Sequence, residues 1–106
     1  MQRVSSYRAV TSLIHDRVSK IEPKARIILF GSQARGDARP ESDWDVIVLL
    51  RDGSSAQQKD YISYSLFDLG WDIDKQIHPI VYTETEWENK SFTPFYKNVI
   101  KDGIEL

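Results

Sequence analysis

The segment from residue 27 to residue 50 constrains this chain more than any other, because a short polar link joins two apolar strands. The first strand is predicted over residues 25–30 and ends at Gly31-Ser32, and the second is predicted over residues 43–51. Hydrophobicity is continuous along the first strand, which is typical of a strand that is covered on both faces. The segment therefore predicts a sheet that lies between layers of other structure.

Two carboxylates open the second strand. Asp43 and Asp45 lie on the same side of it, with Cα atoms about 6–7 Å apart, because side chains alternate between the faces of a strand. Trp44 then points away from them and is expected to pack under a helix. Such a carboxylate pair can share a divalent cation, and backbone N–H groups after Gly31 and at Ser32 can hold a phosphate. This combination suggests metal-assisted nucleotide chemistry.

The composition limits the class of protein. The sequence has 106 residues, of which 41% are hydrophobic, and this predicts a single globular domain over residues 1–106. A net charge of −2 gives no bulk attraction to nucleic acids or anionic membranes. The absence of cysteine excludes disulfides and thiolate metal sites. We see neither a signal peptide nor an apolar run long enough to span a membrane, so we expect a cytoplasmic protein.

Predicted helices and strands alternate along the chain, which favours an α/β fold with a small mixed sheet flanked by helices. Pro79 indicates that its strand lies at a sheet edge or contains a bulge, and Gly70 is expected to end the helix before it. Thr83 and Glu86 form a capping box that predicts a short helix. The predicted elements are a helix over residues 3–20, a strand over 25–30, a helical turn over 32–35 that Gly36 ends, a strand over 43–51, a helix over 56–69, a strand over 75–82, a short helix from 83 and a last helix opened by Thr93-Pro94.

The polar link and the carboxylate pair are together far more specific than either part alone. The segment Gly31-Ser32-Gln33-Ala34-Arg35-Gly36 is followed by Asp43-Trp44-Asp45 and an apolar strand, with ten residues between Ser32 and Asp43. This arrangement resembles the signature of the DNA polymerase β-like nucleotidyltransferases. More narrowly, it is similar to the minimal nucleotidyltransferases, small domains that are often paired with a HEPN-domain protein. The resemblance covers most of the chain and implies a palm-like fold.

The resemblance also implies an activity and a site. It implies transfer of a nucleoside monophosphate, AMP from ATP, to a hydroxyl group, with Mg²⁺ or Mn²⁺ and release of pyrophosphate. Asp43 and Asp45 would hold the metal, and Gly31, Ser32 and Arg35 would bind the triphosphate. The implied acceptor belongs to a partner protein such as a HEPN-type toxin, which would make this chain an antitoxin. The sequence leaves the oligomeric state open, including a homo-oligomer.

Two arginines are candidates for the phosphate site. Arg35 lies one helical turn beyond Ser32, and we favour a charge-assisted contact with phosphate over a surface ion pair with Asp37 or Glu41. Arg39 lies on the following loop, and for it a phosphate contact and an ordinary surface position both remain open.

The third carboxylate of the family is the weak point of the resemblance. Family members usually carry this acid on the next strand, where it completes the metal site and can act as general base. Our alignment places Gln76 there, and an amide cannot take a proton. Asp74 could replace it if the strand register differs, so we predict Asp43, Asp45 and Asp74 as the catalytic set. His78 is expected on the same strand face as Asp74 and Gln76, where it could serve as a base near neutral pH, but we favour its interpretation as an ordinary polar strand residue. The alternative function is a catalytically impaired module that binds nucleotide and protein.

Overall fold

The computed structural model describes residues 6–106 and contains one four-stranded sheet with helices on both of its faces. Its elements are α1 (Tyr7–Ile21), β1 (Arg26–Phe30), α2 (Ser32–Arg35), β2 (Trp44–Leu50), α3 (Ala56–Ile73), β3 (Ile77–Thr83), α4 (Glu84–Glu88), α5 (Pro94–Asp102) and β4 (Ile104–Glu105). The predicted alternation is confirmed, and β4 is an addition to it. None of the helices within residues 6–106 has the length and apolar character needed to cross a bilayer.

Hydroxyl side chains determine where four of the helices begin. Ser6, Ser55, Thr83 and Thr93 are the N-caps of α1, α3, α4 and α5, and each accepts a hydrogen bond from a backbone N–H in the first turn. The capping box predicted from Thr83 and Glu86 is present, and α5 begins at a proline as expected. The predicted start of the first helix, over residues 3–5, lies outside the described residues.

The sheet is mixed, as predicted. Its strand order is β3-β2-β1-β4, with β1 antiparallel to β2 and to β4, and β2 parallel to β3. Pro79 therefore lies in an edge strand, where the missing N–H costs no hydrogen bond on the open side. The pairing of β4 is supported by Arg26, whose Nη2 lies 3.0 Å from a carboxylate oxygen of Glu105. Two exposed residues carry no periodicity, which is why the sequence does not predict β4.

Both faces of β1 are buried, which confirms the inference from its continuous hydrophobicity. Ile27 and Leu29 belong to a core cluster with α1 and α3, whereas Ile28 belongs to a second cluster with residues of α4 and α5. Trp44 is buried in the first cluster, and its ring centroid lies 5.8 Å from that of Tyr7 in α1. The prediction that Trp44 packs under a helix is therefore confirmed.

The prediction that Gly70 ends the second long helix is wrong, because α3 continues to Ile73 and its C-cap is Asp74. Asp74 adopts the left-handed conformation, with a φ of 59°, and thereby reverses the chain. The reversed chain then passes so close to the helix that a Cβ on Gly70 would lie 2.6 Å from the carbonyl oxygen of Lys75. Gly70 is thus required for the close approach of backbone and not as a helix terminator.

We expect Gly70→Ala to destabilise the protein by about 1–3 kcal/mol, because the added methyl group overpacks against backbone that cannot move aside. Helix propensity alone predicts the opposite sign, a gain of about 1 kcal/mol. Urea denaturation gives the free energy of unfolding for both the variant and a control, Asp68→Ala, at an exposed position of the same helix. An increase in stability for Gly70→Ala would contradict the close packing of the link after α3.

Candidate active site

The turn between β1 and α2 lies directly against a carboxylate of β2. Gly31 is the N-cap of α2 and has φ 74° and ψ −156°, a combination that side-chain-bearing residues avoid. A Cβ on Gly31 would lie 2.5 Å from Oδ2 of Asp45, so only glycine permits this approach. The helical turn Ser32–Arg35 and its end at Gly36 are present as predicted. The N-terminus of α2 has no side-chain cap, which leaves its first N–H groups for an anion.

The carboxylate pair lies at the start of β2. Asp43 directly precedes the strand and Asp45 is its second residue, so both project toward the same side as predicted. Burial raises the pKa of the Asp45 carboxyl, and the neighbouring charge of Asp43 raises it further. The charges of His78 and Arg35 oppose this increase. The fold therefore holds two like charges together in a partly desolvated place, an arrangement that a bound cation would relieve.

His78 faces the carboxylate pair from the neighbouring strand. The parallel register between β2 and β3 places His78 opposite Asp45. Its Nδ1 lies 3.4 Å from Oδ2 of Asp43 and 3.8 Å from Oδ1 of Asp45. His78 is thus a strand residue that lies beside the carboxylate pair, and its interpretation as an ordinary polar residue stays a prediction. No local signal shows this neighbourhood, because the register between two strands that are distant in the chain is set by the tertiary structure.

The structure also corrects the predicted positions of Gln76 and Asp74. Gln76 precedes β3, its side chain is exposed, and its backbone carbonyl accepts a 2.8 Å hydrogen bond from the N–H of Trp44. Asp74 is the C-cap of α3 and does not share a strand face with His78. His78 is the residue of β3 that the register places opposite Asp45, and Gln76 lies just before the strand. A catalytic role of Asp74 stays a prediction, now from a loop and not from a strand.

Arg35 takes the alternative partner that the sequence offered. Its Nε lies 3.3 Å from Oδ2 of Asp37, and about half of each side chain is exposed. Arg35 is also close enough to Asp45 to oppose the increase of its pKa. An exposed ion pair of this kind contributes about 0–1 kcal/mol, so a phosphate at the turn could replace Asp37 as the partner. The phosphate role predicted for Ser32 and Arg35 remains compatible with this geometry.

The donor atoms fit a divalent cation in part. Carboxylate oxygens of Asp43 and Asp45 are hard ligands of the kind that Mg²⁺ and Mn²⁺ prefer, and phosphate oxygens of a nucleotide would complete the shell. Within the described range, no three acidic, imidazole or thiol side chains are already arranged around one ion position. His78 instead lies at ion-pair distance from the carboxylates. Asp43 and Asp45 therefore offer carboxylate oxygens to a cation, and its remaining ligands would have to come from a bound nucleotide or from water.

The sequence matches a known family over nearly its whole length. A family model described as a nucleotidyltransferase domain covers residues 12–106. The chain belongs to this family. A relative from Methanocaldococcus jannaschii, named as a proposed protein adenylyltransferase, is 44% identical over 83 residues, which are 76% of this chain and 77% of the relative. The resemblance to nucleotidyltransferases that the turn and the carboxylate pair suggested is thus confirmed.

Solved structures show the same fold at low sequence identity. A proposed nucleotidyltransferase from Sulfolobus solfataricus gives a TM-score of 0.55 at 19% identity, with 92% of this chain and 79% of that chain covered. A toxin–antitoxin structure, MntA–HpeT, gives 0.63 at 19% identity, with 89% and 69% covered. A toxin–antitoxin structure with AMP-PNP gives 0.57 at 21% identity, with 86% and 70% covered. These similarities confirm the predicted nucleotidyltransferase fold.

Proposed function

We propose that this nucleotidyltransferase transfers AMP from ATP to a hydroxyl group, with Mg²⁺ or Mn²⁺, and releases pyrophosphate. The contact between the Gly31 turn and the carboxylate of Asp45 carries the proposal, because a phosphate held at that turn lies beside the carboxylate pair. Two relatives support ATP as the donor: one is named as a protein adenylyltransferase, and another was crystallised with AMP-PNP.

Each residue of the site has a separate task in this proposal. The N–H groups at Gly31 and Ser32 bind the terminal phosphates, and Arg35 adds a positive charge to them. Asp43 and Asp45 hold the cation, which when bound neutralises the charge that develops on the phosphates. The acceptor oxygen forms a bond to the α-phosphorus while the bond to the bridging oxygen breaks. Pyrophosphate leaves with the electron pair, and the hydroxyl proton passes to solvent.

We further propose that the acceptor belongs to a partner protein of the HEPN type and that this chain acts as its antitoxin in the cytoplasm. Support comes from the resemblance to minimal nucleotidyltransferases and from the toxin–antitoxin complexes among the structures with the same fold. Modification of a toxin by its antitoxin requires no binding to nucleic acid. This agrees with the net charge of −2, which gives no bulk attraction to nucleic acid.

A second candidate function is a module that binds nucleotide and partner without transfer. The observation that favours it is the imidazole of His78 opposite Asp45, on the strand where the family usually carries its third carboxylate. An imidazole at ion-pair distance from both carboxylates competes with a metal cation for them. In this case Asp43 and Asp45 would retain nucleotide binding only.

Labelled ATP distinguishes the two candidates. We would incubate the full chain and Mg²⁺ with an extract of the source cells and with ATP labelled on either the α- or the γ-phosphate. Transfer of α-label alone to a protein, with release of pyrophosphate and loss in EDTA, supports the transferase. Absence of label together with AMP-PNP binding, measured by calorimetry, supports the binding module. Absence of AMP-PNP binding would contradict both candidates.

We expect His78→Asp to raise affinity for Mn²⁺ and to increase pyrophosphate release by at least about tenfold, because it adds a third carboxylate beside the pair and removes the imidazole. Without metal, three neighbouring carboxylates repel one another, so the melting temperature should fall and recover when Mg²⁺ is added. The other histidine of the chain, exposed on α1, provides the matched control His15→Asp. If His78→Asp lowers activity and Mn²⁺ affinity, the imidazole itself serves the site.

A further inference from the structure

One helix exposes a row of aromatic side chains. Tyr61, Tyr64, Phe67 and Trp71 of α3 have exposed fractions of 60%, 70%, 52% and 77%. Their spacing of three, three and four residues places them on one side of the helix, and we call this row the α3 aromatic stripe. Exposed apolar surface of this extent on a small domain is typical of an interaction site.

The stripe is bordered by negative charge. Asp60, Asp68 and Asp72 are exposed on the same helix, between the aromatic positions. The single cation of α3 is Lys59, and its Nζ is already engaged with Glu86 at 2.7 Å. A protein that covers the stripe must therefore bring apolar groups for the rings and positive charges for the carboxylates.

A groove connects the stripe to the candidate active site. The groove has a volume of about 690 Å³ and lies between the end of α3, the link to β3 and the loop over residues 40–42. Phe67 and Trp71 line it at one side, and His78 lines it next to the carboxylate pair. Phe67 and Trp71 thus belong to both the stripe and the groove, so the stripe leads directly into the groove.

The direction of the proposed reaction, on which this inference rests, assigns the groove to the acceptor. Phe30, Asp45 and His78 form one row across β1, β2 and β3, and Gly31 follows Phe30 at the β1 end of the row. In phosphoryl transfer the attacking and leaving oxygens lie roughly in line on opposite sides of the phosphorus. If pyrophosphate leaves at Gly31, the acceptor must enter from the β3 side. The groove opens on that side.

We propose that the groove is the acceptor subsite and that the α3 aromatic stripe binds the acceptor protein. The acceptor hydroxyl lies on a segment flanked by lysine or arginine residues, whose charges pair with the carboxylates of α3. Phe67 and Trp71 contact the apolar stems of this segment and so position its hydroxyl at the end of the groove near His78. The ATP base then lies elsewhere.

The probes for the test are two short synthetic peptides, each with one tyrosine, flanked by lysines in one and by glutamates in the other. Calorimetry measures their affinity for the full chain and, separately, that of AMP-PNP with Mg²⁺. We expect the lysine peptide to bind at least about tenfold tighter than the glutamate peptide, and Trp71→Ala to weaken it by about tenfold. The affinity for AMP-PNP should change less than about twofold in this variant.

Phe92→Ala is the matched control, because Phe92 has the same exposed fraction as Trp71, 77%, outside the stripe. Tyr64→Ala provides a second variant of the stripe if Trp71→Ala does not fold. The proposal is overturned if the lysine peptide does not bind, if both stripe variants bind it like wild type, or if Trp71→Ala loses AMP-PNP, which would assign the groove to the base. Failure of wild type to bind AMP-PNP would instead reject the proposed function, and the peptide affinities would still report on the stripe.

Discussion

Replacement of Asp45 by asparagine is expected to reduce transfer of α-label by about 10³-fold or more, since a cation contributes several kcal/mol of transition-state stabilisation. The amide keeps the shape of the side chain but removes the charge that holds the cation beside the Gly31 turn. AMP-PNP affinity in the presence of Mg²⁺ should fall as well, whereas affinity measured in EDTA should change little. Label transfer and calorimetry on the same preparations measure both effects.

The same substitution is expected to stabilise the folded protein at neutral pH. Burial is the main reason why the pKa of the Asp45 carboxyl is higher in the folded protein than in the unfolded chain. The protonated carboxyl therefore favours the folded state at low pH, and this stability is lost as the pH rises through the folded-state pKa. Asparagine does not titrate, and Asp45→Asn should therefore melt a few degrees higher near neutral pH. The difference should disappear as the pH falls below the ordinary pKa of an aspartate, where the carboxyl is protonated in both the folded and the unfolded protein. Thermal scans across this range measure it.

Asp16→Asn is the control for both effects, because Asp16 is an exposed carboxylate on α1. We expect it to leave label transfer and the melting temperature unchanged. Full transfer activity in Asp45→Asn would contradict the assignment of the carboxylate pair. A lower melting temperature of Asp45→Asn at neutral pH would indicate that the charge of Asp45 stabilises the folded protein through His78 or Arg35.

Replacement of Gly31 by alanine is the second change with a large expected effect. The backbone conformation of Gly31 costs a side-chain-bearing residue about 1–3 kcal/mol. In addition, the methyl group would lie 2.5 Å from Oδ2 of Asp45, so the turn or the carboxylate must move. A displacement of about 1 Å at a reacting centre can cost about 10²-fold in rate. We therefore expect both lower stability and a loss of α-label transfer of this size.

Gly53→Ala separates the two causes. Gly53 also has a positive φ, 89°, but a Cβ there would meet no atom within 4 Å. It should therefore show a backbone cost without the contact and without an effect on transfer. Urea denaturation gives the free energy of unfolding of both variants, and calorimetry gives their AMP-PNP affinity. Equal destabilisation with unchanged affinity would show that the close approach of Gly31 to Asp45 is not needed for the site.

Local features of the sequence were sufficient for most of the fold. Helix starts depend on residues three apart, as at Thr83 and Glu86, so the N-caps can be predicted without tertiary information. Burial of both faces of β1 follows from its continuous apolar run. The turn at Gly31 and the alternation that brings Asp43 and Asp45 to one side are local as well. These features also carried the family, since the signature lies within a single segment.

The residue that faces Asp45 from β3 depended on tertiary structure, because its identity follows from the register between the two strands. The sequence suggests that Gly70 ends a helix. In the structure, its lack of a side chain makes room for the backbone that returns past α3. This return sets where β3 begins, and Gln76 and His78 lie two residues apart, a spacing that keeps the same strand face. The sequence pattern fits Gln76 as well as His78. Only the pairing of β3 with β2 decides that His78 faces Asp45, because hydrogen bonds between distant strands are absent from any local pattern.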